Sequence, residues 1–166
     1  MLADKFSQIF RDEHRQVRDC LLALSQAFKD QELPRVGSLL GDVAALTGPH
    51  FRYEEESLYP SLVGVFGEEY IEKLLADHDQ AIGSAGRLVA LAGQESLSPE
   101  DVDLAVKLIR GILPHVSDCE GLSIMTEVLP EEKVQAVLDS REQALQANLN
   151  LIDWAGQVRK RSAATV

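Results

Sequence analysis

Residues 6–28 read FSQIFRDEHRQVRDCLLALSQAF, and this stretch decides the fold class. Its apolar side chains recur at steps of three and four, a spacing that places them on one face of an α-helix. The same spacing recurs through residues 34–65, 68–92, 98–128 and 130–158. The sequence therefore predicts an all-α protein with five helices. The apolar positions of the first helix are Phe6, Phe10, Val17, Leu21, Leu24 and Phe28.

The connections between these segments are short, so consecutive helices should lie antiparallel. We therefore expect an up-down-up-down four-helix bundle over residues 1–128 and an additional C-terminal fifth helix over residues 130–160. Residues 1–160 would form a single domain, and residues 161–166 a frayed tail. Pro49 and Pro114 fall inside the second and fourth helices, where we expect bends in continuous helices.

The charge balance excludes several classes of partner. Sixteen Lys and Arg residues against 27 Asp and Glu residues give the 166-residue chain a net charge of −11. Nucleic acid and anionic membranes both require a cationic surface, so we expect neither as a partner. Two cysteines provide no disulfide framework, and we find no signal peptide and no apolar run of membrane length. These features predict a cytoplasmic protein.

Each of the first four helices carries one histidine in a gap of its apolar face. Glu54 follows His50 by four residues and Cys119 follows His115 by four, so both lie on the same faces as those histidines. At about 1.5 Å of rise per residue, the distances of the histidines from the predicted turns agree within about one helical turn. Four imidazoles and a carboxylate should therefore meet in one layer of the core. The histidines are His14, His50, His78 and His115.

A buried carboxylate among buried imidazoles is costly unless a cation or hydrogen bonds compensate it. Imidazole and carboxylate ligands suit iron, manganese, zinc or copper, so the layer predicts a metal site. The alternative is a metal-free polar layer in which Glu54 and the histidines satisfy one another through hydrogen bonds.

A weak internal repeat relates the two halves of the bundle. Residues 49–55 (PHFRYEE) resemble residues 114–120 (PHVSDCE), and Glu13-His14 resembles Asp77-His78. The offsets are 65 residues for the first pair of segments and 64 for the second. Two helix pairs related by a pseudo-twofold axis could hold two metal ions across that axis.

These residues resemble the hemerythrin-like, or HHE cation-binding, family. The resemblance covers roughly residues 1–128 and rests on the four histidines, the HFRYEE motif of residues 50–55 and the acid after His115. It implies a non-haem di-iron centre with carboxylates bridging the irons. By resemblance, His14 and His50 would serve one iron together with Glu54. His78 and His115 would serve the other, and Glu54 would bridge the two.

The sequence departs from the oxygen-carrying members of that family. The third helix carries His78 without a second histidine four residues away, so one imidazole is missing. Cys119 stands where many members have a second glutamate, and Glu120 has the spacing of the hemerythrin aspartate. Either could be a second bridging or terminal ligand, and Cys119 could instead be a small buried apolar residue. Fewer ligands leave positions where water, oxygen, peroxide or nitric oxide could bind.

Three functions are compatible with these features. The first is a non-haem iron protein that binds or senses a small ligand such as O2, NO or peroxide. The second is an oxidoreductase at the same iron centre, acting on peroxide, ferrous iron or NO, which Cys119 near the metal favours. The third is a metal-free helical interaction module. The fifth helix, with Leu149, Ile152 and Trp154, either covers the bundle or forms a homodimer face.

Four other polar residues lie near the candidate ligands in sequence. We expect Glu55 and Asp77 to face solvent or to support the ligands. We expect Tyr53 and Tyr59 to pack in the core.

Overall fold

The chain folds into helices joined by short turns. The computed structural model describes residues 1–163, and no strand occurs within them, which confirms the all-α class. A turn of π-helix (Glu54–Leu58) joins the second helix to the third, and a turn of 3₁₀-helix (Thr126–Val128) follows the sixth. The helices are α1 (Leu2–Lys29), α2 (Leu33–Tyr53), α3 (Tyr59–Phe66), α4 (Glu68–Ala92), α5 (Pro99–Glu120), α6 (Leu122–Met125), α7 (Glu131–Ala147) and α8 (Leu151–Gln157).

Local sequence signals set several helix boundaries. Ser98 caps α5, because its hydroxyl accepts a hydrogen bond from the Asp101 amide at 3.1 Å. The Asp101 carboxylate accepts one in return from the Ser98 amide at 3.0 Å. Gly67 separates α3 from α4 at a φ of +85°, a left-handed conformation that favours glycine. Pro49 and Pro114 lie inside α2 and α5, and neither proline ends its helix.

The four long helices pack around two apolar clusters. α1 packs against α2 and α5, and α4 packs against α5 and α2, contacts that are compatible with the predicted antiparallel order. One cluster contains Leu24 and Ile109, and the other contains Phe10 and Leu122. Each of the four histidines lies along its helix between residues of these clusters, so the polar layer lies in the middle of the core.

The predicted fifth helix is wrong in one respect, because it consists of two helices, α7 and α8. Asn148 ends α7 in the left-handed conformation, with φ 51° and ψ 41°. Asn150 then caps α8, and its side chain accepts a hydrogen bond from the Asp153 amide at 2.9 Å. The connection runs directly over Gly48 of α2, where a Cβ would collide with the backbone of Leu149 and Asn150.

The second of these helices, α8, lies across α2 and α4. Its Trp154 is buried and belongs to a cluster with Phe51, Ile82 and Leu151. Of the two expected roles of the fifth helix, covering the helical core is the one that α8 fulfils. The homodimer face remains a prediction.

The apolar spacing of residues 68–92 and 130–158 predicts that Val89, Leu145, Ile152 and Val158 face inward, but all four are exposed. In α7 and α8 the expectation fails because the break at Asn148 changes the helical phase that one continuous helix would keep. On α4, Leu88 and Leu91 occupy the buried positions of the last turns, which leaves Val89 outside.

The C-terminal residues begin in a defined contact. Arg161, predicted to start a frayed tail, forms ion pairs with Asp79 and Glu72, each at 2.7 Å. Two carboxylates of α4 thus hold the guanidinium of the first residue of the predicted tail, and the extent of the tail stays a prediction. The rest of the predicted tail includes residues 164–166, which lie outside the described residues. Among the helices of residues 1–163, none combines the length and apolar character needed to cross a bilayer.

Candidate metal centre

Four imidazoles surround one buried carboxylate. Glu54 is fully buried, and its Oε1 lies 3.0 Å from His50 Nε2 and 3.7 Å from His14 Nε2. Its Oε2 lies 3.1 Å from His78 Nε2. His115 completes the layer, with its ring centroid 4.7 Å from that of His78. The predicted convergence of four histidines and Glu54 is confirmed.

The atoms that could bind a metal form two groups that share Glu54. The first group is His14, Glu54 and Cys119, and the second is Glu54, His78 and His115. Within each group, one ligand atom per residue lies within 4.8 Å of the others. His50 adjoins the first group, with its Nε2 3.4 Å from His14 Nε2. This arrangement fits the pseudo-twofold relation that the sequence repeat suggests.

Each histidine is also anchored through its outer nitrogen, Nδ1. Ionised carboxylates and backbone carbonyls only accept hydrogen bonds, so the acceptor holds the proton on Nδ1. The Nε2 lone pair is then free to point inward, which is how metal-binding histidines are usually oriented. Glu55 and Asp77 therefore support the candidate ligands. The acceptors are Phe10 O for His14 (2.7 Å), Glu13 Oε2 for His50 (2.7 Å), Glu55 Oε1 for His78 (2.9 Å) and Asp77 Oδ2 for His115 (3.3 Å).

The inner nitrogens of His14 and His50 require a proton or a cation between them. With both outer nitrogens donating, two lone pairs would otherwise face each other at 3.4 Å. Burial, followed by the charge of His50, lowers the pKa of His14 to about 4. Burial also lowers the pKa of His50, but Glu54 and Glu13 outweigh it and raise that pKa to about 10. A proton on His50 therefore compensates Glu54 in the metal-free chain, and a metal ion would replace it.

The carboxylates of the site are ionised at neutral pH. Burial raises the pKa of Glu54, but the hydrogen bonds and charges of His50 and His78 hold it well below its usual range. Burial likewise opposes the ionisation of Glu13, yet hydrogen bonds from His50 and Tyr53 lower its pKa to about 2. The site thus presents an anionic oxygen ligand inside and anionic acceptors outside.

Of the two residues considered for an additional ligand, the structure brings only Cys119 into the cluster. Cys119 is fully buried, and its Sγ lies 3.0 Å from Glu54 Oε1. Burial and then the Glu54 charge raise the pKa of this thiol well above its usual range, so it is protonated without a metal. Glu120 lies outside both groups, because its carboxylate pairs with Arg18 at 3.4 Å.

Two tyrosines expected only to pack in the core also take part in the polar network. Tyr53 donates its hydroxyl proton to Glu13 Oε2 at 2.6 Å. The Tyr59 hydroxyl lies 3.3 Å from Glu54 Oε2 and 3.1 Å from His78 Nε2. The π-turn explains Tyr59, because its amide bonds to the Glu54 carbonyl five residues back and brings Tyr59 over Glu54. No local spacing in the sequence indicates such a turn.

Two arginines from the C-terminal part of the chain contact the outer carboxylates, and the sequence pattern predicts neither contact. Arg141 on α7 donates to Glu13 Oε1 at 2.5 Å. Arg159, just after α8, donates to Glu55 Oε1 at 2.7 Å. These pairs join residues more than a hundred positions apart, so no pattern in a single sequence predicts them.

An apolar cavity of about 50 Å³ adjoins the site. His115 and Phe51 line it together with aliphatic side chains of α1, α2, α4 and α5. Phe51 also stacks on His78, with the ring centroids 3.8 Å apart. A small uncharged molecule fits such a space, whereas an ion would find only apolar surface there.

No curated protein and no solved structure matches the chain. The family model of the hemerythrin HHE cation binding domain matches residues 5–122. That span is more than half of the chain and contains all four histidines, Glu54 and Cys119. The chain therefore belongs to the hemerythrin HHE cation-binding domain family.

Proposed function

We propose that this protein binds two non-haem iron ions in the histidine cluster and uses that centre to bind or sense O2, NO or peroxide. The observation that carries the proposal is the orientation of the imidazoles. Four Nδ1 atoms are held by acceptors, which leaves the Nε2 atoms to surround Glu54. Family membership supports a cation at this position, and mixed imidazole and carboxylate donors suit iron.

Glu54 is the residue that both ions would share. His14 and His50 would hold one ion and His78 and His115 the other, with one oxygen of Glu54 directed toward each half. Cys119 would take part in the first half, within the group that contains His14. The iron would supply open coordination positions for a small ligand, since the described cluster offers few donors for two ions.

The apolar cavity favours an uncharged diatomic over an anion as the bound ligand. A molecule such as O2 or NO needs no hydrogen-bond partner to enter apolar surface, and His115 connects this surface to the cluster. Two cysteines without a disulfide are compatible with the reducing, cytoplasmic setting that we propose for the protein.

The proposal is tested by counting metals in protein purified without added metal and reconstituted with ferrous iron. We expect about two irons per chain in the wild type and about one in His14→Ala or His115→Ala. Glu54→Gln should lose iron from both halves. The matched control is Glu56→Gln, a partly exposed carboxylate two residues away that pairs with Arg52. Unchanged iron in Glu54→Gln, or stoichiometric zinc without any iron uptake, would overturn the proposal.

Ligand binding is read from the absorption spectrum of the iron-loaded protein. The near-ultraviolet and visible bands should change when O2, NO or peroxide is added, and the change should disappear in His50→Ala. A spectrum that none of the three alters would reject the ligand-binding role while leaving iron binding intact.

A second candidate function is an oxidoreductase at the same centre, and the position of Cys119 favours it. Its thiol lies beside Glu54 and within 3.4 Å of the Tyr59 hydroxyl, so two oxidisable side chains adjoin the ions. Turnover of peroxide or ferrous iron by the wild type, lost in Cys119→Ser when the rate is expressed per bound iron, would support this function. Absence of turnover in the wild type would reject the oxidoreductase and leave ligand binding as the proposed function.

A further inference from the structure

We propose that the C-terminal segment completes the metal centre, and that Arg159 is a positioning residue that holds His78 through Glu55. The inference rests on the proposed function, since it concerns how firmly the cluster holds iron. Arg159 lies outside residues 5–122, the span that the family model matches. The candidate ligands therefore lie between α1 and α5, whereas Arg159, which supports His78 through Glu55, comes from a later segment.

The contacts form a continuous chain from the C-terminus to the centre. The Arg159 side chain is 1% exposed, and its Nε and Nη2 donate to the two oxygens of Glu55 at 3.1 and 2.7 Å. Glu55 Oε1 accepts from His78 Nδ1 at 2.9 Å, and His78 Nε2 faces Glu54 at 3.1 Å. A two-pronged guanidinium–carboxylate pair fixes the carboxylate plane as well as its position. Glu55 therefore presents its oxygen to His78 in one orientation.

A second buried carboxylate makes Arg159 necessary. Asp79 Oδ1 lies 2.8 Å from Arg159 Nη2, and the Asp79 side chain is 5% exposed. Without the guanidinium, Glu55 and Asp79 would be two adjacent, largely buried anions that repel each other. Arg161 contacts Asp79 but makes no contact with Glu55 among the described ion pairs, so it cannot orient Glu55 in place of Arg159.

Helix α8 holds Arg159 in place. The Arg159 amide donates to the Trp154 carbonyl at 2.9 Å, and the guanidinium lies 5.7 Å from the centre of the Trp154 ring. Trp154 is itself buried against the helical core. Arg141 plays the matching part in the other half, where it holds Glu13 behind His50.

The test measures iron affinity by chelator competition in the full chain. Arg159→Met should weaken iron binding about tenfold, and Glu55→Gln by about 10- to 100-fold. Because Arg159 acts through Glu55, the double variant should be no weaker than Glu55→Gln alone. Arg161→Met is the matched control, since it also removes a cation from Asp79, and its affinity should stay within about twofold of wild type. Multiplying effects in the double variant, or an unchanged affinity in Arg159→Met, would overturn the inference.

Arg159→Lys covers the case in which Arg159→Met does not fold. Lysine keeps the charge but not the two-pronged geometry, so its iron affinity should fall between those of the wild type and Glu55→Gln. An affinity equal to wild type would show that charge alone suffices and would overturn the positioning role.

A readout in the metal-free protein separates this inference from the proposed function. Nitrogen-15 NMR of the His78 ring should show a proton on Nδ1 that exchanges slowly with water in the wild type and faster in Arg159→Met, because Glu55 then no longer holds it in one orientation. That difference would support the positioning role even if the wild type bound no iron. The same Nδ1 exchange rate in both proteins would refute the positioning role even if iron bound as proposed.

Discussion

Replacing Glu13 by glutamine should remove a specific part of the protein's acid sensitivity. The Glu13 carboxylate accepts hydrogen bonds from His50 at 2.7 Å, Tyr53 at 2.6 Å and Arg141 at 2.5 Å. Burial raises its pKa, but these partners outweigh burial and lower it from 4.5 to about 2. A difference of that size corresponds to at most about 3 kcal/mol of stability in the metal-free protein.

The direction follows from the lowered pKa. A carboxylate with a depressed folded-state pKa stabilises the fold fully above its unfolded value of 4.5 and loses that contribution as the pH falls to about 2. His14, whose pKa burial lowers to about 4, destabilises the fold between pH 6.5 and 4 in wild type and variant alike. Below pH 4.5, His50 is protonated in both the folded and the unfolded protein, so the shrinking of the difference between the two proteins in that range reports on Glu13.

The assay is urea unfolding of metal-free protein, followed by circular dichroism at several pH values between 7 and 3. Glu13→Gln should be less stable at pH 7 by up to about 3 kcal/mol, and the difference should shrink as the pH falls below 4.5. The exposed Glu56→Gln control should stay within about 0.5 kcal/mol of wild type throughout. A wild-type-minus-variant difference that is the same at pH 7 and pH 3 would refute the reasoning.

Three further predictions concern packing, capping and metal removal. Gly48→Ala should lower the free energy of unfolding by about 1–3 kcal/mol, because its Cβ meets the backbone of Leu149. The control Gly37→Ala, on the same helix, meets nothing and should be neutral or stabilising. Equal melting temperatures for the two variants would contradict this prediction. Ser98→Ala should cost about 1 kcal/mol through loss of the α5 cap, and no change in melting temperature would show that the cap is dispensable. Iron at about 100 times its dissociation constant should add about 2.7 kcal/mol of stability, reversed by a chelator. A melting temperature that changes neither with added iron nor with a chelator would favour the metal-free interaction module.

The convergence of the four histidines and Glu54 was predictable, because it depends only on which face of each helix a residue occupies. His14, His50, His78 and His115 keep the spacing of the apolar residues around them, and the short turns bring their levels together. Glu54 follows His50 by one helical turn and so lies on the same face. This spacing predicts that Glu54 is the buried residue among the three consecutive glutamates 54–56, and it is fully buried. Helical periodicity and rise per residue are properties of the local chain, so a single sequence is enough to predict which side chains share a face and a level.

The parts that escaped prediction depend on irregular backbone or on distant residues. The π-turn after Tyr53 moves Tyr59 onto the polar layer, and regular helical spacing gives no sign of it. The left-handed Asn148 divides a segment whose apolar spacing fits one helix. Cys119 and Glu120 are adjacent in sequence, and only the tertiary contact of Glu120 with Arg18 separates them. Arg159 reaches Glu55 only because α8 folds back across α2.

The outer acceptors are not equivalent in the two halves of the centre. Carboxylates stand behind His50, His78 and His115, but a neutral backbone carbonyl stands behind His14. An anionic acceptor makes an imidazole a stronger electron donor than a neutral one does. We therefore expect stepwise loading, with the His78–His115 half filling before the half that contains His14. A partially loaded sample would then hold its iron mainly in one half.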